Sequence, residues 1–236
     1  MPNKHIVKAY DDELAELDRL IAEMGGRVEA ALAKAAECLL TYDTEGAKEV
    51  RAEDKLIDQL EIQIDQHATR MLALRQPMAE DLRLIIACLK MSNDLERMGD
   101  YAKNIAKRTI TISQAPLITT LGQSIRRMAQ MVEAMINTAL DAYVARDAQL
   151  AASVVHRDEE VDQLHTSIFR EILTYMMEDN RNITACTHLL FVAKNVERIG
   201  DHTTNVAEQV YYLITGHQLE EGRTKADKAA SVNVGD

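Results

Sequence analysis

The chain contains no tryptophan and only two phenylalanines, Phe169 and Phe191, among 236 residues. With aromatics so few, Ala, Leu, Ile, Val and Met are expected to fill the core, as in closely packed helices. Proline is confined to Pro2, Pro77 and Pro116, and glycine is sparse, so long helices can run unbroken between those points. Cys38, Cys88 and Cys186 are an odd number, widely spaced and without a CxxC pattern, which points away from a disulfide framework and from a thiolate metal site. They read as small apolar residues in a reducing compartment.

Positive charge is also short. Lys and Arg number 27 against 38 Asp and Glu, a formal net charge of −11. That balance argues against nucleic acid or an anionic membrane surface as the main partner, and favours cations or basic protein faces. No run of about 18 apolar residues is present to span a bilayer. The opening MPNKHIVKAYDDELAEL has no apolar leader segment. A cytoplasmic protein without direct membrane insertion is expected. A Gly-rich phosphate loop, a nucleophile elbow and HExxH are all missing, so no enzyme is expected.

What is present reads as all-α, with six long helices. Residues 1–10 form an N-terminal arm. A first helix follows from about Asp11 to Tyr42, with Leu14, Leu17, Ile21, Met24, Val28 and Leu32 at three-to-four spacing and a soft spot at Gly25-Gly26. Asp43 or Thr44 suits the N-cap of a second helix reaching about Leu74. Pro77 suits the first turn of a third, which carries on to about Arg108. After a break from Ser113 to Pro116, a fourth helix spans about Leu117 to Tyr143, a fifth Asp147 to Met177 and a sixth Asn182 to Thr215, closed by Gly216. Residues 217–236 are polar and aperiodic, as in a disordered tail.

The two halves, 11–112 and 113–216, are copies. ERMGDYAKNIA, from Glu96 to Ala106, recurs as ERIGDHTTNVA, from Glu197 to Ala207, at an offset of 101. Over the first two helices of each half the offset is 104: Leu17 with Leu121, Met24 with Met128, Val28 with Val132, Asp54 with Asp158, Asp58 with Asp162. A loop between the second and third helices is expected to absorb the three-residue difference.

Each copy of the motif carries ExxxD, Glu96 with Asp100 and Glu197 with Asp201. Residues four apart lie one turn above each other on a helix, and like charges placed so cost a few tenths of a kcal/mol. Repeating that cost at matched positions implies something positive over those faces. Asn104 and Asn205 extend the polar column by a turn. The second helix of each half adds Asp54 with Asp58, and Asp158 with Asp162. If the second and third helices of a half pack antiparallel, four carboxylates face one another. Such oxygen-only sets suit Mg²⁺, Ca²⁺, Mn²⁺ or iron.

Two other readings stand beside this one. The apolar face of the third helix, Met91, Leu95, Met98, Ala102 and Ile105, lies opposite Glu96 and Asp100, and that of the second is Ile57, Leu60, Ile64 and Met71. The acids can therefore be solvated faces, and a cation site built from them is expected to be shallow or surface-facing. A di-iron carboxylate enzyme is the other alternative, but that class uses Glu-x-x-His pairs aimed into a bundle, and only Asp162 with His165 comes near. His165 is either an additional ligand or a solvated surface residue. Arg97 and Arg198 are expected to pair with carboxylates of the next helix, and Gly99 and Gly200 to mark close helix approach. His202 stands where the first half has Tyr101, which speaks against a shared catalytic role.

Over about residues 5–216 the sequence resembles the PhoU family. The resemblance is carried by the duplicated ERxGDxxxN segments, by RQPMAEDLR from Arg75 to Arg83, and by DxxID at Asp54–Asp58 with its counterpart DEEVD at Asp158–Asp162. RQPMA has no second-half counterpart; MEDNRNI from Met177 to Ile183 stands in its place. The resemblance implies two similar three-helix bundles side by side, often dimerising, with metal ions on clusters built from the E/DxxxD motifs. Those motifs fall on Asp54, Asp58, Glu96 and Asp100 and on Asp158, Asp162, Glu197 and Asp201, with iron, manganese or magnesium as the implied ions. It further implies a negative regulator of the phosphate-starvation response and of phosphate uptake, linking the ATPase subunit of a phosphate ABC transporter to a sensor histidine kinase, and acting as a homodimer.

Overall fold

The computed structural model describes residues 3–115 and 118–219. Its helices are α1 (Asn3–Thr41), α2 (Thr44–Arg75), α3 (Glu80–Ile112), α4 (Thr119–Ala145), α5 (Ala148–Glu178) and α6 (Ile183–Thr215), with a short 3₁₀ turn, Asn180–Asn182, leading into α6. Local chemistry sets several ends. The Asp43 carboxylate accepts from the backbone N–H groups of Glu45 and Gly46, and Asp147 does the same for Gln149 and Leu150. These satisfy donors that a helix start leaves without intrahelical partners. Gly216, at φ 76°, closes α6 with its N–H on the Tyr212 carbonyl.

Within each half three helices touch one another, α1, α2 and α3 in the first and α4, α5 and α6 in the second. The halves meet along two seams, α1 against α4 and α3 against α6. Both seams are antiparallel. Along the first, Asp18 pairs with Arg146, Gly25 lies against Leu140, Glu29 accepts from Asn137, and Glu37 meets Arg126. Along the second, Arg83 lies against Gly216, Asp94 against His202, and Arg108 against His188. The repeats are thus related by an approximate two-fold axis, near which Tyr101 meets its own repeat equivalent His202, ring centroids 5.7 Å apart.

One continuous apolar core joins the two bundles, with Leu17, Met24, Leu32, Ile64, Met91, Leu121, Met128, Val132 and Val196 fully buried. Each such Leu, Ile, Val or Met contributes about 1.5–3 kcal/mol over an exposed counterpart. Cys38, Cys88 and Cys186 are buried free thiols.

Several boundaries differ from expectation. Helix α1 begins at Asn3, well before Asp11, so most of the expected arm is helical. The helix also runs straight through Gly25-Gly26: Gly25 is a contact position where a Cβ would overlap Leu140. Pro77 lies in the α2–α3 connection rather than in the first turn of α3, because Gln76 and Ala79 both take positive φ (49° and 51°) and delay the helix to Glu80. The α2–α3 and α5–α6 connections, 76–79 and 179–182, are equally long. The repeat's three-residue difference is therefore absorbed by helix ends and not by a loop. Pro116, expected to close the interdomain break, and the tail beyond residue 219 lie outside the described residues.

Candidate functional site

In the first half the motif acids face across the α2–α3 groove. Gly99 lets the helices approach: a Cβ there would lie 3.0 and 3.2 Å from methyl groups of Ile57 and 3.6 Å from Asp54 Oδ1. Asp54 is buried as a result. Lys103, one turn past Asp100, reaches over the groove and places Nζ 2.6 Å from Asp54 Oδ2 and 3.0 Å from Asp100 Oδ1. The hydrogen bond to Asp54 holds the Lys103 ammonium above its ordinary pKa, so it stays charged. Burial, then the charges of Asp58 and Asp100, raise the Asp54 carboxyl against the pull of Lys103. Glu96 is raised by burial first, then by Asp100, with Glu61 and Asp58 adding and Arg97 opposing. Acids from both helices therefore share one field.

The second half places the corresponding residues deeper. Asp158 is 3% exposed, Asp162 2%, Glu197 3% and His165 4%, while Asp201 is half-buried. Gly200 sits against α5 and α4, its Cβ position 3.4 Å from Asp158 Oδ1 and 3.6 Å from both Val161 and Val132. Lys194 Nζ lies 2.7 Å from Glu197 Oε1.

The expectation of solvated, surface-facing acids fails here, and so does that of a solvated His165. An apolar stripe marks only part of what a helix buries. Helix α6 touches α3, α4 and α5, and α3 touches α1, α2 and α6, so polar positions flanking the stripe are enclosed as well. The arginines also differ from expectation. Arg97 Nε is 3.5 Å from Glu96 of its own helix, and the Arg198 guanidinium lies 5.6 Å from the Tyr101 ring across the seam. Among the described residues, Lys103 and Lys194 do meet motif acids closely, and neither belongs to the set expected from the sequence. Their i,i+3 spacing to Asp100 and Glu197 was the available signal. Asn104 is exposed, whereas Asn205 donates to Asp94 across the seam.

The donor sets are chemically suited to a hard or intermediate cation: carboxylates from two helices, and in the second half a buried imidazole. Among the described residues, no three His, Cys, Asp or Glu side chains converge closely enough to hold an ion. In the first groove Lys103 Nζ lies between Asp54 and Asp100. Burial first, and then repulsion among the acids, holds Asp54 and Glu96 above their ordinary pKa values, and a bound cation would relieve the repulsive part.

Among the described residues no helix is long and apolar enough to cross a membrane. The family model for the PhoU domain matches twice, over residues 21–109 and 125–210. A phosphate-specific transport system accessory protein PhoU homolog from Rhizobium meliloti is 45% identical over 232 residues, 98% of either chain. One from Caulobacter vibrioides is 48% identical over 224 residues, 95% of this chain and 97% of that one. Among solved structures, PhoU from Pseudomonas aeruginosa gives a TM-score of 0.85 at 39% identity, covering 88% of this chain and 100% of that one. The phosphate transport system regulatory protein PhoU from Streptococcus pneumoniae gives 0.82 at 30% identity, covering 89% and 99%. The six helices are thus two tandem PhoU domains, and the chain belongs to the PhoU family.

Proposed function

We propose that this chain is a non-enzymatic negative regulator of the phosphate-starvation response and a modulator of phosphate uptake. It works in the cytoplasm as a homodimeric adaptor between the ATPase subunit of a phosphate ABC transporter and a sensor histidine kinase. The observation that carries this reading is a likeness to accessory proteins of phosphate-specific transport that runs through both repeats, over 98% of either chain. The acidic surface, at −11 overall, suits docking on basic protein faces.

The grooves take part as metal sites. Asp54, Asp58, Glu96 and Asp100 would hold an ion in the first half, and Asp158, Asp162, Glu197 and Asp201 in the second. A divalent or trivalent ion, iron, manganese or magnesium, supplies positive charge that neutralises the crowded carboxylates and orders the groove. The protein's own part is to hold acids of two helices at one level, which in the first half Gly99 makes possible by close helix approach.

The test is a phosphate-starvation reporter, such as secreted alkaline phosphatase, in phosphate-replete cells lacking the protein. Deletion is expected to switch the reporter on and wild type to silence it; a reporter that stays silent on deletion would sink the regulatory reading. A variant with Glu96, Asp100, Glu197 and Asp201 replaced by Ala then shows whether the acids serve signalling.

The buried Asp162, His165 and Glu197 favour a second reading, a carboxylate metalloenzyme of the di-iron type. Absence of oxygen uptake by protein loaded with ferrous iron would remove it.

A further inference from the structure

One turn past the second acid of the motif, the two halves carry different residues. The first has Lys103 and the second Thr204. Thr204 is buried, its hydroxyl donating to the Gly200 carbonyl at 3.2 Å. Lys103 instead joins an acid of α2 to one of α3, Asp54 at 2.6 Å and Asp100 at 3.0 Å. An ammonium group carries three donors and no acceptor, so among carboxylates it takes up the position a small cation needs. The Lys103 side chain is 39% exposed while that of Asp54 is 5% exposed. The charge therefore enters the groove from its solvent edge and can swing out again without moving a helix.

We infer that Lys103 is a tethered counter-cation of the α2–α3 cluster: it satisfies the buried Asp54 when no metal is bound, and a divalent ion enters the first half only by exchange with it. This rests on the grooves being cation sites, as proposed above. A tethered competitor acts at the high effective concentration of an intramolecular group, so the first-half affinity is set against the chain's own ammonium. At the matching position of the second half stands a threonine hydroxyl, bonded to its own backbone.

Mn²⁺ binding, followed by calorimetry and by elemental analysis after gel filtration, tests this with three proteins: wild type, Lys103→Thr, which copies the second half, and Lys103→Met, which keeps the stem and removes the charge. Both variants are expected to gain a Mn²⁺-binding step about tenfold or more tighter than wild type, since a unit charge at this range is worth at least that factor. Their Tm should also rise more on adding Mn²⁺. Because Asp54 loses its partner in both, the comparison is repeated between Asp54→Asn and Asp54→Asn/Lys103→Met, neither of which buries that carboxylate. Lys103 faces Asp100 there too, so its removal should again tighten binding. If wild type binds Mn²⁺ and removing Lys103 tightens it in neither background, the counter-cation role is wrong and the cation reading survives. If no form binds Mn²⁺ in either half, the cation reading falls and this inference with it.

Discussion

Nδ1 of His202 on α6 lies 2.7 Å from Oδ1 of Asp94 on α3, and the same oxygen accepts from the Asn205 amide at 3.2 Å. With the Tyr101–His202 ring contact beside it, this is a polar fastening of the seam between the two halves. Asp94→Ala is expected to lower stability by about 1–3 kcal/mol, the range for hydrogen bonds to a charged, half-buried group. Urea unfolding at constant m-value measures it; a loss below about 0.5 kcal/mol, the level of an ordinary surface substitution, would leave the seam to apolar packing alone.

The two motif glycines should respond differently to the same methyl group. At Gly200 a Cβ meets only ordinary contacts of 3.4–3.6 Å, so Gly200→Ala should stabilise by up to about 1 kcal/mol through helix propensity. At Gly99 the Ile57 methyls lie at 3.0 and 3.2 Å, and the crowding should cancel that gain. Gly25→Ala must displace Leu140 and should destabilise. Paired denaturation curves decide the order, and a Gly99→Ala protein more stable than Gly200→Ala would contradict the groove geometry.

Glu96 gives a pH signature. Its carboxyl is raised in the folded chain by burial and then by Asp100, so between its ordinary and its folded pKa the folded state binds more protons than the unfolded one. Stability from this group accordingly falls as pH rises through its folded pKa. Glu96→Gln cannot ionise, and without metal it should melt above wild type at pH 7. The advantage should fade as pH drops toward the ordinary glutamate value of about 4.3. Melting by circular dichroism checks this; a variant less stable at pH 7 would mean that the pairing with Arg97 outweighs the burial and repulsion of the charge.

At the other seam Tyr143 donates to the Asp18 carboxylate, which also receives Arg146 at 2.9 and 3.0 Å, while Cys88 Sγ lies 3.3 Å from the tyrosine hydroxyl. Burial pushes the Cys88 thiol up to about 12, which makes it an inert group. Asp18→Ala should cost about 2–3 kcal/mol because the buried hydroxyl loses its charged acceptor. Adding Tyr143→Phe should cost less than it does alone, a coupling that a double-mutant cycle reads directly.

The helices were legible because their signals are local. Leu17, Ile21, Met24 and Val28 spell the buried stripe of α1, Asp43 caps α2 and Gly216 ends α6, each through backbone chemistry within a turn of the residue concerned. Pro77 misled because the positive φ at Ala79, a residue with no marked preference for it, shifts the start of α3. The charged column over Glu96 and Asp100 does imply a positive partner, and that partner is Lys103 of the same helix, whose long side chain crosses to Asp54 as well as meeting Asp100 at i+3. Depth was the least legible property. Asp158, Asp162, His165 and Glu197 have the residue types of a solvated face and are nonetheless buried.

The sequence by itself determined the duplication, the six amphipathic helices and the stacking of acids one turn apart, because periodicity and internal likeness are properties of the chain read along its length. Tertiary structure decided how the halves dock: antiparallel along α1–α4 and α3–α6, so that His202 meets Asp94 and Arg146 meets Asp18. It also decided that Asp54 is answered by an ammonium of the neighbouring helix and that Asp158, Asp162 and Glu197 are enclosed. Both depend on which helices lie side by side and how near they come, and no spacing along a single helix encodes that distance.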